Sequence, residues 1–211
     1  AIGLWNIERL GVALFPLLEE QESLLVDGLT EYQRVFAQEM SQRFATKLGL
    51  SALEDDADVA LVNDCFAWLP AHETDMTLFF RGLSQVVTEP TAPRELPRVV
   101  RNAFYEEVPE EHVARVHEWL TAWWQRTRRE EAPPAELARR MDAVNPKYVM
   151  RNWLAQEAID AAHQGDDSKV HALLDVMRRP FDEQPGREAY AAKRPDWARS
   201  KPGCSALSCS S

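Results

Sequence analysis

Apolar positions recur at three- and four-residue spacing along most of the chain, the period of a helix with one face turned to a core. Leu4, Ile7, Leu10 and Leu14 predict a first helix, which Pro16 ends or kinks because proline lacks an N–H and crowds the preceding turn. Leu25, Leu29, Tyr32, Phe36, Met40, Phe44 and Leu48 form the longest stripe, and Gly49 supplies a left-handed stop. Asp55 and Asp56 mark the next helix start, where carboxylates accept free N–H groups and oppose the dipole. Val59, Val62, Phe66 and Leu69 are its expected buried stripe, with Pro70 just beyond, and Met76, Phe79, Phe80, Leu83 and Val87 mark a fourth helix.

Residues 88–98 contain Pro90, Pro93 and Pro97 without periodicity, and predict a surface connection between helices of 1–87 and helices of 99–179. Pro109 fits a first helical position, followed by Val113, Val116, Leu120, Trp123 and Trp124 as an apolar face. Arg126, Arg128 and Arg129 close that helix, where cations suit the negative end of the dipole. Pro133 and Pro134 precede a short helix reaching about Ala143. Asn145-Pro146 reads as a cap and a first-turn proline, opening a helix through Val149, Trp153, Gln156 and Ile159 to Gly165. Asp166 and Asp167 start its partner, which carries Val170, Leu173, Leu174 and Met177 and stops at Pro180, so 145–179 forms a helical hairpin. Prolines at 180, 185, 195 and 202 give residues 180–211 the look of an extended tail. The hairpin has no second copy at a fixed period, so a solenoid is not indicated.

Composition sharpens this into an all-α reading. Ala and Leu number 27 and 22, against 16 Val, 3 Ile and 8 Thr, and Gly is scarce at 8 in 211 residues. A formal net charge of −10 argues against a nucleic-acid binder, which carries a basic footprint. No apolar run reaches the length of a membrane span and no signal peptide opens the chain, so a soluble, cytoplasmic protein is expected. The chain starts at Ala1 directly in apolar sequence, which suggests the C-terminal portion of something longer.

Familiar catalytic patterns are missing: the sequence holds no G-x-x-x-x-G-K-[ST], G-x-G-x-x-G or G-x-S-x-G. His112 and His117 are five apart, not the four of H-E-x-x-H, and with His163 and His171 they read as surface or core residues. Glu54, Asp55, Asp56 and Asp58 lack the glycine and downstream glutamate of an EF-hand and read as a solvated helix start. The arginines at 126, 128, 129, 139 and 140 near Trp123 and Trp124 make a poor nucleic-acid patch in so acidic a chain. Cys65 lies among Val62, Phe66 and Leu69 as a small buried hydrophobe. Cys204 and Cys209 have no nearby pair or histidine to complete a zinc site, which leaves two inert solvent thiols or a redox switch.

Several segments together resemble the selenoprotein O-type protein adenylyltransferases. Ile2-Gly3-Leu4-Trp5-Asn6-Ile7-Glu8-Arg9-Leu10 is similar to that family's I-G-x-W-N-L-x-R-L, and Asp75-Met76-Thr77 with Phe80-Arg81 to its D-Y-T-x-x-F-R. Asn145-Pro146-Lys147-Tyr148-Val149-Met150-Arg151-Asn152-Trp153-Leu154-Ala155-Gln156, then Ala158-Ile159 and Gly165-Asp166, resembles N-P-x-x-V-L-R-N-x-L-A-Q followed by A-I and G-D. Arg179-Pro180-Phe181, Pro195-Asp196-Trp197 and Ser208-Cys209-Ser210-Ser211 agree in order and spacing. Ile7, Met76 and Met150 depart from the usual Leu, Tyr and Leu, and the likeness is weakest over 88–140.

The resemblance implies the helical part of a protein-kinase-like C-lobe over 1–87, a helical extension over 99–179 and a redox tail over 180–211. It implies AMP transfer from ATP to Ser, Thr or Tyr hydroxyls of protein substrates, with Mg2+ or Mn2+, in a bacterial parent. The family's nucleotide loop, catalytic aspartate and metal ligands precede the matched segment, so no catalytic, cofactor-binding or metal residue carries over and the chain alone is expected to be inactive. Cys209 does carry over, as a regulatory cysteine expected to pair reversibly with a thiol upstream of Ala1. The missing N-terminal half is then a partner, with Leu4, Trp5 and Phe15 as candidate docking residues. A stand-alone helical interaction module, gripping a partner with the 145–179 hairpin and tail, is the alternative.

Overall fold

A computed structural model describes residues 2–18 and 21–204. Helix α1 (Ile2–Leu14) gives way at Pro16 to a 3-10 turn (Phe15–Leu18), and α2 (Glu22–Lys47) runs back along it. Gly49 adopts φ 77°, and the Leu50 amide bonds to the Ala45 carbonyl at 2.9 Å, the left-handed helix stop expected there. Helices α3 (Asp56–Trp68), α4 (Met76–Val86), α6 (Glu110–Thr127) and α7 (Pro134–Val144) pack as a body, with a single turn α5 (Arg98–Arg101) beside α4. Asp55 caps α3, accepting the Asp58 amide at 2.9 Å. Among the described residues no strand forms, only an isolated bridge between Thr74 and Phe104, so the all-α reading holds.

The core follows the helical stripes. Trp68, Phe79, Leu83, Val116, Leu120 and Trp123 are buried together, and rings of Trp68, Phe79 and Trp119 meet edge to face or tilted at 5.1–5.8 Å. Two indole N–H groups reach backbone carbonyls, Trp119 that of Leu61 within α3 at 2.8 Å and Trp123 that of Leu48 at the end of α2 at 2.9 Å. Each satisfies a buried donor that would otherwise cost about 1–3 kcal/mol.

Several expectations are corrected. Val59 and Met76, placed on buried stripes by spacing, are exposed, because the body covers only part of each helix face. Pro109 sits one residue before α6, at its cap, with φ −56° and ψ 149°. Arg126 does not reach into solvent to meet the helix dipole. Its side chain is buried, with Nε and Nη2 on the two Asp58 oxygens (2.7 and 3.0 Å) and Nη1 on Glu130 (2.8 Å). Burial works to raise the Asp58 carboxyl, but the Arg126 hydrogen bonds hold it below its usual value.

Asn145-Pro146 does not open a helix. Asn145 ends α7, and residues 146–151 run without regular structure before α8 (Asn152–Ala162). The hairpin is therefore α8 and α9 (Ser168–Met177) alone, turned at Gly165 with φ 86°. Residues 180–204 return over the body as a strap with 3-10 turns at Glu188–Ala191 and Asp196–Arg199. This C-terminal unit has small cores of its own, Tyr148–Val176–Ala191 and Leu154–Ala158–Leu173, separate from the core of the body.

Candidate functional site

Motif residues far apart in sequence converge where the C-terminal unit meets the body. Asp75 caps α4, its Oδ1 accepting the Leu78 amide at 3.0 Å. The same carboxylate takes Arg151 bidentately, Nη1 on Oδ2 at 2.5 Å and Nη2 on Oδ1 at 3.1 Å. The Asp75 side chain is 2% exposed and that of Arg151 12%, so the pair is dry and charge-assisted. Tyr105 donates to Asp75 Oδ2 at 3.3 Å, and its oxygen accepts the Arg194 amide at 3.1 Å. Arg151 stands at the cap of α8, so one buried carboxylate fixes the starts of two helices and is linked to the strap through Tyr105.

Arg81 makes the second knot. Its Nη1 donates to the carbonyls of Asp142 (2.9 Å) and Asn145 (3.0 Å), and its Nη2 to Glu183 (3.0 Å). Lys147 also bonds Glu183, and with Arg81 it holds that carboxyl below its ordinary value. Asn145 exchanges hydrogen bonds with Lys47, Nδ2 to the carbonyl at 2.9 Å and Nζ to Oδ1 at 2.8 Å. That position, misread as a helix start, is what ties the end of α7 to the end of α2.

The strap adds a third set. Arg194 and Arg199 pair with Glu73, and Lys193 donates to the Phe104 carbonyl at 2.7 Å. All three cations lie 5.2–5.8 Å from the Tyr105 ring centre. A cavity of about 590 Å³ lies in the junction, lined by residues of both sides, including Arg81, Asn102, Asp142, Lys147 and Lys193. Its charged groups are engaged with one another or with backbone, an arrangement that fastens and orients. Asp75, with four donors on two oxygens, is not a free base.

The other candidates disperse. Cys65 is 1% exposed in the core and burial pushes its thiol well up, so it is the small hydrophobe expected. Cys204 is buried too, which corrects the reading of an inert solvent thiol. Cys209 lies outside the described residues. His117 bonds the Pro93 carbonyl at 2.8 Å, whereas His112 is buried with Nε2 unpartnered, its ring 4.3 Å from that of His72. The arginine group does not form a patch: Arg126 is buried, Arg128 stacks on Trp124 at 4.2 Å, and Arg139 and Arg140 share Glu136. Among the described residues no group of three or more His, Cys, Asp or Glu is placed to hold a metal ion, and no helix is long and apolar enough to cross a membrane.

Tyr105, Glu73 and Glu183 carry no signal in the sequence, since each gains meaning only from a partner at least 30 residues away. Asp75 and Arg151 were legible as motif letters, though not as a pair.

Comparison with known proteins gives these residues a context. The family model described as "Protein adenylyltransferase SelO" matches residues 1–178. A "Protein nucleotidyltransferase YdiU" of Aromatoleum aromaticum is 49% identical over 211 residues, all of this chain and 39% of that protein. Proteins of the same name from Azoarcus sp. and Rhodopirellula baltica are 47% and 45% identical, again over the whole chain and over 40% and 41% of their own lengths. The chain belongs to the SelO protein adenylyltransferase family, and spans about two fifths of the length of the curated relatives it matches.

Proposed function

We propose that this chain is the C-terminal part of a protein adenylyltransferase that moves AMP from ATP onto Ser, Thr or Tyr hydroxyls of protein substrates in the bacterial cytoplasm. The observation that supports this reading beyond the family match is the α1–α2 arm. No described residue before Ala45 is buried. Trp5 (58% exposed), Leu10, Val12, Leu14, Leu17 and Phe36 all face outward. Of the docking residues expected from sequence, Trp5 belongs to this face, whereas Leu4 and Phe15 are half-buried. An apolar surface of this extent fits an interface, and its proposed occupant is the remainder of the parent, the part of the longer relatives that this chain does not span.

In the parent, Mg2+ or Mn2+ would neutralise the phosphates of ATP. The described residues do not fit those groups themselves. They offer no cluster of metal-binding side chains, and the cations of the junction are spent on Glu73, Asp75 and Glu183. This chain's contribution is mechanical: the arm docks, the body supports, and the junction holds the strap in place. Cys209, by resemblance, forms a reversible disulfide with a thiol of the N-terminal part, two thiols giving up two protons and two electrons to a disulfide or peroxide oxidant.

Incubation with ATP labelled at the α-phosphate tests this. The 211-residue chain alone incorporates no label into protein, and the longer parent does. Label transferred by the chain alone, and abolished by a point substitution within it, overturns the proposal.

A further inference from the structure

The strap ends its described course on α8. Lys201 Nζ pairs with Asp160 Oδ2, and Asp160 Oδ1 accepts Gln156 Nε2 at 2.7 Å, so two residues one turn apart on α8 form a single polar seat. Lys201 to Cys204 close a tight turn on it, with the Cys204 amide bonded to the Lys201 carbonyl at 3.1 Å. Gly203 is favoured by its backbone conformation, and a side chain there would push Gln156 off the seat. Its φ is +85°, and a Cβ at this position would stand 2.6 Å from Gln156 Oε1. The turn leaves Cys204 6% exposed. The Asp160 carboxyl lies below its usual value through its bonds to Lys201 and Gln156, as a carboxylate holding a cation should.

We infer that Gln156 and Asp160 are positioning residues that pin the strap at Lys201–Cys204 and keep the Cys204 thiol sequestered, so that it becomes reactive only when the pairing of Lys201 with Asp160 is broken.

Pulse alkylation with N-ethylmaleimide, each cysteine followed by mass spectrometry on its own peptide, tests the anchor in the intact chain. Cys204 should react at least about tenfold slower in native buffer than in urea. D160N and G203A should each restore most of that rate while Cys65, in the core, stays protected. If a variant also exposes Cys65 it has unfolded, and K201Q then decides. Native Cys204 reacting at its urea rate, or anchor variants that leave it protected, overturns the inference.

Discussion

The α1–α2 arm and the helical body have similar sequence patterns and opposite structural outcomes. Both carry apolar residues at helical spacing, yet Phe36 is 52% exposed in the arm and Trp123 fully buried in the body. The difference is company. Helix α6 lies against α3 with its Trp side chains, whereas the arm, apart from the end of α2 that meets α7, has only its own two helices to face. Two helices cover one stripe of each other and leave the remaining apolar positions in water, so amphipathic spacing marks a surface to be covered without naming what covers it.

Substitutions in the two regions sharpen this contrast. Truncating Trp123→Ala should cost about 3–5 kcal/mol in urea unfolding, through lost burial and the cavity left behind. The C-terminal unit depends on charge where the body depends on packing, and Arg151→Ala should cost about 3 kcal/mol, because Asp75 is left buried without its partner. That loss should be read by hydrogen exchange in α8 as well as by global unfolding, since the unit has its own small cores.

Acid provides a smaller effect, confined to the body. Burial, then His72 and Arg115 nearby, hold the His112 imidazole below its usual value, and its Nε2 has no partner to receive a proton's charge. A base depressed in the folded state binds fewer protons there than in the unfolded chain. Its contribution is complete above the ordinary imidazole value near 6.5, and is lost as pH falls from there toward the folded value. Unfolding free energy should drop in that window by at most about 1.4 kcal/mol per pH unit, and His112→Phe should flatten the slope.

The smallest effect belongs to the arm. Trp5→Ala and Phe36→Ser should change the stability of this chain by about 0.5 kcal/mol or less, since neither loses much burial. In the parent the same two changes should destabilise by several-fold more, and equal small effects in both proteins would break the comparison and with it the docking role of the arm.

Helices α1 to α4, α6, α7 and α9 were legible to within a few residues, because stripe spacing, Gly49, Asp55 and the prolines are local signals. The error at Asn145 is instructive. Asn-Pro is a sound local start signal, but Asn145 was already committed through Lys47, 98 residues away, and the helix began seven residues later. The single turn α5 escaped notice because four residues show no period. Of the candidate site, Cys209 and the motif letters were readable as a resemblance. The fastening of Asp75 to Arg151 was not, since no periodicity links positions 76 apart.

The sequence by itself determined the helical class, most element boundaries and the family, since each rests on the order of residue types along a short stretch. Tertiary structure decided which stripes are covered, that Arg126 and Cys204 are buried, and that motif residues serve as fasteners. Those outcomes depend on which surfaces meet, and burial, desolvation and pairing are properties of the meeting and not of either partner alone.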